Sequence, residues 1–252
     1  QMSRLIVFLL VVFLWSGCAS SKLTTELKSV GFEWVRLPGG SFTMGDVYFD
    51  DNPDAQPVHP VQVAPFFISK YESTMDQYDW FTEKSGRATV FPEQEQRGRR
   101  AVNQINWSDA AAFCAFIGGR LPSEVEWEYA ASGGSLKQMY PGTNEEEEVR
   151  DYVRYIENSI ADVFPVATKK PNVFGLFDMG GNVAEWIGSF YEYYPTPGEE
   201  PVIFDLENRE LRIVRGGGYS ADLSITRTYW RAGTLGRVAA PGVGVRCAKD
   251  LK

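Results

Sequence analysis

The stretch of this sequence best equipped for chemistry is residues 173–186, Val-Phe-Gly-Leu-Phe-Asp-Met-Gly-Gly-Asn-Val-Ala-Glu-Trp. Its glycines permit positive φ angles or close backbone approach, and we interpret it as a shaped loop that its aromatic residues bury. The oxygens of Asp178, Asn182 and Glu185 suit a hard cation such as calcium, although their spacing forms no EF-hand. The alternative is that Asp178 and Asn182 only shape turns and that Glu185 is solvated.

Histidine chemistry is limited because the chain has one histidine, His59. A multi-histidine zinc or iron site is therefore excluded, and we expect His59 to be structural. Residues 215–218, Arg-Gly-Gly-Gly, lack the Lys-Ser/Thr of a Walker loop. They indicate a strand whose glycines admit close packing or a ligand against the backbone.

The 173–186 stretch resembles the Gly-Asn-Val-x-Glu-Trp signature of the sulfatase-modifying-factor domains, the formylglycine-generating enzyme family. Four other stretches agree in the order of the family's motifs: Trp34–Gly45, Arg120–Ala131, Arg215–Tyr219 and Gly244–Cys247. The resemblance covers about residues 31 to 250. It implies an α+β, loop-rich C-type-lectin-like variant fold with few helices and small antiparallel sheets.

The family resemblance also implies a structural calcium ion in residues 173–186, called the central loop below. Its expected ligands are the side chains of Asp178 and Glu185 and the carbonyls of Gly181 and Val183. Asn158 would belong to a second family site, and this expectation is weaker because the segment after it is shortened here.

Catalytic members of the family oxidise a substrate cysteine with copper(I), which two cysteine thiolates hold. At those two positions this chain has Ala221 and Thr226, and Gly218 replaces the nearby serine. Soft thiolates suit copper(I), and the replacements do not. The resemblance therefore predicts no copper and no oxidase activity.

The function we expect is that of a protein-binding or glycan-binding assembly module, since relatives on lipoproteins take part in secretion and motility machines. The alternative is an active enzyme of the family with different, non-copper chemistry. A possible ligand cleft is formed by Arg215, Tyr219, Trp230, Arg231 and Arg246. The competing interpretation is that these side chains only pack the core and pair with carboxylates.

The N-terminal segment has the pattern of a bacterial lipoprotein leader. An uncharged apolar run from Leu5 to Trp15 precedes Ser16-Gly17-Cys18, which resembles a lipobox, and the run is too short to span a bilayer comfortably. Cys18 is the predicted lipidation site, and Ala19 is typical of sorting to the outer membrane. Ordinary secretion and a retained membrane anchor are the alternatives.

This reading divides the chain into a signal peptide (1–17), the lipidated cysteine with a tether (18–30) and the domain (31–252). We predict a location in the bacterial cell envelope, lipid-anchored at the outer membrane and facing the periplasm or the cell surface.

The chain has three cysteines, an awkward number for an exported protein. With Cys18 lipidated, Cys114 and Cys247 remain, and cysteines at those family positions are disulfide-linked. An oxidising compartment would keep such a bond. The alternative is two buried free thiols.

Composition places the chain among globular proteins and against nucleic-acid binding. Its 252 residues are 44% hydrophobic and 14% aromatic, which suffices for a packed core. The formal charge is 25 − 33 = −8, and the few basic clusters lack interleaved aromatic residues.

Local signals predict the elements that position these residues. The turn at Pro38-Gly39-Gly40 predicts a hairpin of the segments on either side, and residues 59–71 read as two strands broken at Pro65. Capping boxes predict helices after Thr74 and Ser123, and Ser108 is the expected cap of a helix over 109–117. Later strands are expected at residues 212–215, 229–232 and 242–247.

Overall fold

The structure is a computed structural model that describes residues 22–49, 52–90, 97–160, 162–194 and 210–251. The predicted signal peptide and Cys18 lie outside the described residues. The helices are α1 (residues 22–29), α2 (Met75–Ser85), α3 (Trp107–Phe116), α4 (Glu124–Ala131) and α5 (Val149–Tyr152). The strands are β1 (Trp34–Leu37), β2 (Gly40–Met44), β3 (His59–Val63), β4 (Phe66–Ser69), β5 (Ala184–Phe190), β6 (Leu211–Arg215), β7 (Arg231–Leu235), β8 (Val243–Gly244) and β9 (Ala248–Asp250).

The strands of the described residues form three small sheets, ordered β1-β4-β9, β2-β3 and β7-β6-β5-β8. Every pairing is antiparallel except that of β5 with β8, which is parallel. Short sheets, few helices and long connections confirm the expected α+β class.

The turn at Pro38-Gly39-Gly40 does not close a hairpin, so that prediction is wrong. β1 pairs with β4, and β2 pairs with β3. Gly39 has a φ of +69°, and an added Cβ would lie 2.4 Å from the Val63 carbonyl oxygen. At this turn the chain therefore passes from the sheet that contains β1 to the sheet that contains β2. The two strands expected on either side of Pro65 are confirmed as β3 and β4.

The central stretch is not a loop throughout, because its last residues begin β5. The first four residues of β5, Ala184 to Ile187, are all buried. A strand covered on both faces shows no alternation of apolar and polar residues, which is why the sequence pattern hid it.

Two later strands also differ from their predicted bounds. β7 covers Arg231–Leu235 rather than 229–232, which sets Arg231 opposite Arg215 in β6. Of the segment expected as one strand over 242–247, only Val243–Gly244 is strand, as β8. The next strand, β9, begins at Ala248 and belongs to a different sheet.

The helix starts follow the capping residues in two cases of three. Thr74 and Ser123 both form complete capping boxes, as predicted. α3 instead begins two residues earlier than expected, because Asn106 accepts the Asp109 N–H at 2.9 Å. The hydroxyl of Ser108 donates to the Asn106 side chain at 2.7 Å, so Ser108 supports the cap rather than forming it.

Part of the predicted tether is structured, because residues 22–29 are helical. Leu27 is buried in a hydrophobic core with Phe32, Phe113 and Trp186. The Gln77 side chain also donates to the Val30 carbonyl at 3.3 Å. Residues from about 22 onward thus pack with the domain. None of the helices in the described ranges is long and apolar enough to cross a membrane.

The predicted disulfide between Cys114 and Cys247 is confirmed. The two Cα atoms lie 5.4 Å apart, and 133 positions of sequence separate them. Both residues are fully buried. The bond fastens α3 to the segment that leads into β9.

Candidate functional site

The central loop is fixed between residue 154 and the end of β6. Gly181 has a φ of +75°, and an added Cβ would lie 1.8 Å from the Arg154 carbonyl oxygen. The Gly181 N–H donates to the Gly216 carbonyl at 2.8 Å, and the Asn182 N–H donates to the Arg154 carbonyl at 2.8 Å. Only glycine fits at position 181.

A buried carboxylate that the sequence analysis missed, Glu72, contacts this loop. One of its oxygens accepts the Asn182 side-chain amide at 2.5 Å, and the other accepts the Val183 N–H at 3.0 Å. Burial and then the charges of Asp178 and Glu185 raise the pKa of Glu72 well above its usual range. These three carboxylates therefore share one buried environment.

Asp178, one of the predicted calcium ligands, is buried and has a positive φ of 54°. Its Oδ2 accepts the Ala167 N–H at 2.7 Å. Burial raises the pKa of its carboxyl to about 6. This carboxylate is therefore less readily ionised than an ordinary aspartate.

Glu185, the other carboxylate of the predicted calcium set, is paired with Arg246. The Nε of Arg246 lies 2.9 Å and 3.0 Å from the two Glu185 oxygens, and the Trp127 indole donates to one of them at 2.6 Å. Arg246 also donates to the carbonyls of Ser69 and Phe177. This guanidinium thus ties β4, β5 and the central loop together.

The contacts of Glu185 limit how calcium could bind at the predicted ligand set. Both of its carboxylate oxygens already accept hydrogen bonds, so an ion at the predicted set would have to share or displace Arg246. Within the ranges that the structure describes, there is no group of three or more His, Cys, Asp or Glu side chains that could hold a metal ion. Calcium stays a prediction. Glu72, Asp178 and Glu185 share one buried environment, and a bound cation would favour the ionised forms of these carboxyl groups.

Asn158, the residue of the weaker second site, is used in a local turn. Its side-chain amide donates to the Val153 carbonyl at 2.9 Å, and its oxygen accepts the Tyr155 N–H at 3.1 Å. The Asn158 carbonyl accepts from Arg154 at 2.8 Å.

The positions of the family's copper ligands lie in a short turn after β6. Ala221 and Thr226 are buried. The Thr226 hydroxyl donates to the Leu223 carbonyl at 2.7 Å, so it closes the turn rather than facing a ligand. An added Cβ at Gly218 would lie 3.2 Å from the Gly242 carbonyl oxygen. The turn packs closely where catalytic relatives would hold a metal.

Arg215 and Arg231 meet in a second buried network. Arg215 donates to Glu124 at 2.7 Å and to Glu128 at 2.6 Å. Arg231 reaches both oxygens of Glu124, at 2.7 Å and 2.8 Å. Lys137 donates at 2.6 Å to the other oxygen of Glu128, which also accepts the Gly45 N–H at 2.8 Å. The paired strands β6 and β7 thus hold their arginines over carboxylates of α4.

The charge balance of this network controls Glu128. Burial alone would raise the pKa of its carboxyl, but the charges of Lys137 and Arg215 outweigh burial and lower the pKa to about 2. Arg215 and Glu128 are both fully buried. Glu128 and Arg215 therefore form an ionised pair inside the domain.

The three arginines of the predicted ligand cleft are buried. Arg215 and Arg231 meet at Glu124, whereas Arg246 is on Glu185, and all three guanidinium groups have protein partners. Tyr219 and Trp230 are partly exposed. The alternative interpretation, that the arginines pack the core and pair with carboxylates, describes their placement.

Three buried carboxylates were not predicted from the sequence: Glu72 beside the central loop, and Glu124 and Glu128 in the second network. Glu124 and Glu128 lie four residues apart in α4, and such a pair shares one helix face. A buried arginine needs a charged partner. Two glutamates on one helix face, together with arginines in strands, were therefore the signal that could have predicted this network. Glu72 stands alone in sequence and carried no comparable signal.

This architecture defines an α+β domain of the C-type-lectin-like kind whose core is cross-linked by arginine–carboxylate networks. Residues 21–251 match the family described as sulfatase-modifying factor enzyme 1-like domain. The chain belongs to that family, as its motifs indicate.

Several curated proteins are similar to this chain. The serine/threonine-protein kinase Pkn1 of Chlamydia trachomatis is 31% identical over 251 residues, and the match covers 87% of this chain and 38% of that protein. The chain thus spans about two-fifths of the Chlamydia kinases it matches. The formylglycine-generating enzyme of Streptomyces coelicolor is 28% identical, with 86% and 88% covered. Chaperone protein LppX of Paenibacillus barcinonensis is 28% identical, with 99% and 100% covered.

Solved structures share the fold. Treponema denticola variable protein 1 superposes with a TM-score of 0.74 at 24% identity, covering 87% of this chain and 95% of that one. PvdO from Pseudomonas aeruginosa superposes with a TM-score of 0.73 at 27% identity, covering 86% and 94%.

Proposed function

We propose that this chain is a lipid-anchored protein of the bacterial cell envelope whose domain has lost cysteine oxidation and binds a protein or glycan partner in an assembly. The observation that carries the proposal is the pair Ala221 and Thr226 at the copper-ligand positions. Ala221 offers no donor atom, and the Thr226 hydroxyl is a hard oxygen that suits copper(I) poorly.

Two further observations support the loss of activity. The Thr226 hydroxyl is already bonded within its own turn. Cys114 and Cys247 are joined to each other, so neither thiolate is available to copper.

The activity test uses the purified protein with copper(I), oxygen and a peptide carrying Cys-x-Pro-x-Arg, with aldehyde formation followed by mass. We expect no product. The Ala221→Cys, Thr226→Cys variant should gain stoichiometric copper, whereas the matched Ala221→Ser, Thr226→Ser variant should not. Copper-dependent turnover by the unaltered chain would refute the proposal.

The anchor proposal concerns Cys18 and the apolar run before it. Mass spectrometry of membrane-extracted protein should show an acylated cysteine at the N-terminus. A mature chain that begins elsewhere and stays soluble would contradict it. Fractionation of the two membranes then tests the proposed outer-membrane location, for which Ala19 is the sequence signal.

The binding role is supported by the relative named as a chaperone, since a chaperone acts by binding other proteins. Proximity labelling from the anchored protein in its native envelope should mark a small, reproducible set of envelope proteins or glycan-bearing molecules. The matched control is an equally anchored, unrelated domain. Identical labelling by both would contradict a specific partner.

A further inference from the structure

An apolar groove runs between α1, the start of β1, the end of α3 and β9, and it has a volume of about 660 Å³. This volume lies within the usual range of small-molecule sites, about 300–1,000 Å³. Its apolar lining includes Leu23, Leu27, Phe32, Trp34 and Ile117.

One face of α1 forms a wall of the groove. Leu23, Thr24, Leu27 and Lys28 line it, and positions separated by three or four residues share one side of a helix. The Trp34 ring contacts the Phe32 ring edge-on, with 4.9 Å between the ring centres, and both aromatic residues line the groove.

The rim of the groove carries positive charge in a chain whose net charge is −8. Lys28 and Lys249 line it, and the Lys249 ammonium lies 5.9 Å from the centre of the Trp34 ring. Glu33 is the one acidic residue of the described lining, and Lys70 neutralises it at 3.0 Å. An anion would therefore meet two lysines and one carboxylate that is already paired.

The groove lies close to the proposed anchor. Cys18 and Leu23 are five positions apart in the sequence, so their Cα atoms are at most about 18 Å apart even when the chain is fully extended. A lipid on Cys18 would hold this face of the domain at the membrane surface.

We propose that this groove is a membrane-facing lipid site that takes one acyl chain of an anionic phospholipid, with the phosphate placed at Lys28 and Lys249. The orientation rests on the proposed function, because it uses the Cys18 anchor. Tryptophan and lysine side chains suit the interface, since an apolar body enters the lipid while a polar end stays at the headgroups.

The binding test uses the chain from residue 19 onward, which contains every described residue and has no cysteine to lipidate at position 18. It should bind vesicles of phosphatidylcholine with phosphatidylglycerol more tightly than vesicles of phosphatidylcholine alone. Lys28→Gln with Lys249→Gln should weaken binding about twenty-five-fold, since each lysine near an anionic surface contributes about fivefold. The matched control, Lys84→Gln with Lys170→Gln, changes two exposed lysines outside the groove and should change binding little.

The acyl-chain test uses phospholipid brominated in the chain, which quenches nearby tryptophan fluorescence. Quenching should be largely lost in Trp34→Phe and retained in Trp230→Phe, and Leu23→Glu should abolish it. Thermal unfolding checks that each variant is folded. Equal quenching in the two tryptophan variants, or no vesicle binding, would overturn the proposal.

The remaining outcomes separate the occupant and the anchor. If the lipidated protein loses the Trp34 quenching that the shorter chain shows, the groove holds the protein's own acyl chain, and the proposed occupant is wrong. The mass of the native N-terminus tests the anchor alone, whereas vesicle binding by the unlipidated chain tests the groove alone.

Discussion

Glu128 illustrates how single residues set the stability of this domain. It lies fully buried between Lys137 and Arg215, at 2.6 Å from each. Removing one member of a buried pair leaves an uncompensated charge inside the protein, which costs about 3–5 kcal/mol.

Glu128→Gln should therefore lower the free energy of unfolding at neutral pH by about 3–5 kcal/mol, as measured by urea denaturation. The exposed Glu147→Gln is the matched control and should have little effect. The pH dependence follows from the lowered pKa of Glu128, about 2 in the folded state against 4.5 for an ordinary glutamate. Its contribution is present above pH 4.5 and is lost as the pH falls towards 2. A variant whose acid unfolding matches the unaltered protein over that window would contradict this role.

The central loop gives a second prediction at the residue scale, which concerns calcium. An ion that binds only the folded protein raises the midpoint of thermal unfolding, so calcium should raise it relative to a chelator. Because burial raises the pKa of Asp178 to about 6, we expect this gain to shrink below that pH as the ligand becomes protonated. Asp178→Asn should reduce the gain at neutral pH. An unchanged midpoint, with no metal by elemental analysis, would end the proposal.

At the scale of elements, the start of α3 allows the observed cap, Asn106, to be compared with the predicted cap, Ser108. Asn106→Ala removes the side-chain oxygen that accepts the Asp109 N–H, and loss of such a cap costs about 1 kcal/mol. Ser108→Ala should cost clearly less, because Ser108 only supports Asn106. Urea denaturation of both variants measures the difference, and a larger loss for Ser108→Ala would restore the original prediction.

The glycines of the central loop offer a matched pair. Gly181 and Gly175 have nearly the same φ, +75° and +76°, but an added Cβ meets the Arg154 carbonyl at 1.8 Å only at Gly181. Gly175→Ala should therefore cost only the backbone strain, about 1–2 kcal/mol. Gly181→Ala should cost about 4 kcal/mol or more, or prevent folding. Thermal unfolding and soluble yield report both, and equal effects would show that the loop can move away from residue 154.

For the whole molecule, the disulfide between Cys114 and Cys247 is the covalent cross-link that joins described segments far apart in sequence. A bond that closes a loop of this length, 133 residues, contributes about 5 kcal/mol in the chain-entropy account. Cys114→Ala with Cys247→Ala should lower the urea midpoint accordingly. The unaltered protein, purified without reductant, should show no thiol at these two positions on alkylation, and two reactive thiols there would contradict the bond.

Sequence alone determined the features that depend on neighbouring residues or on ordered motifs. Thr74 and Ser123 begin their helices because a cap needs only a side chain and the next three residues. The motif order gave the family, and through it the fold class and the partner of Cys114. Strand β5 was not predicted, because burial on both faces removes the alternation of apolar and polar residues that marks a strand.

Tertiary structure decided which distant groups meet. Arg215 finds Glu124 across 91 positions, and Asn182 finds Glu72 across 110. The same arginines that suggested an exposed ligand cleft are buried instead, because β6 and β7 pair in a register that sets them over α4. A guanidinium has the same chemistry on a surface and in a core. Only the carboxylates and strands packed around it decide whether it binds a ligand or holds the domain together, and those contacts come from chain segments far apart in sequence.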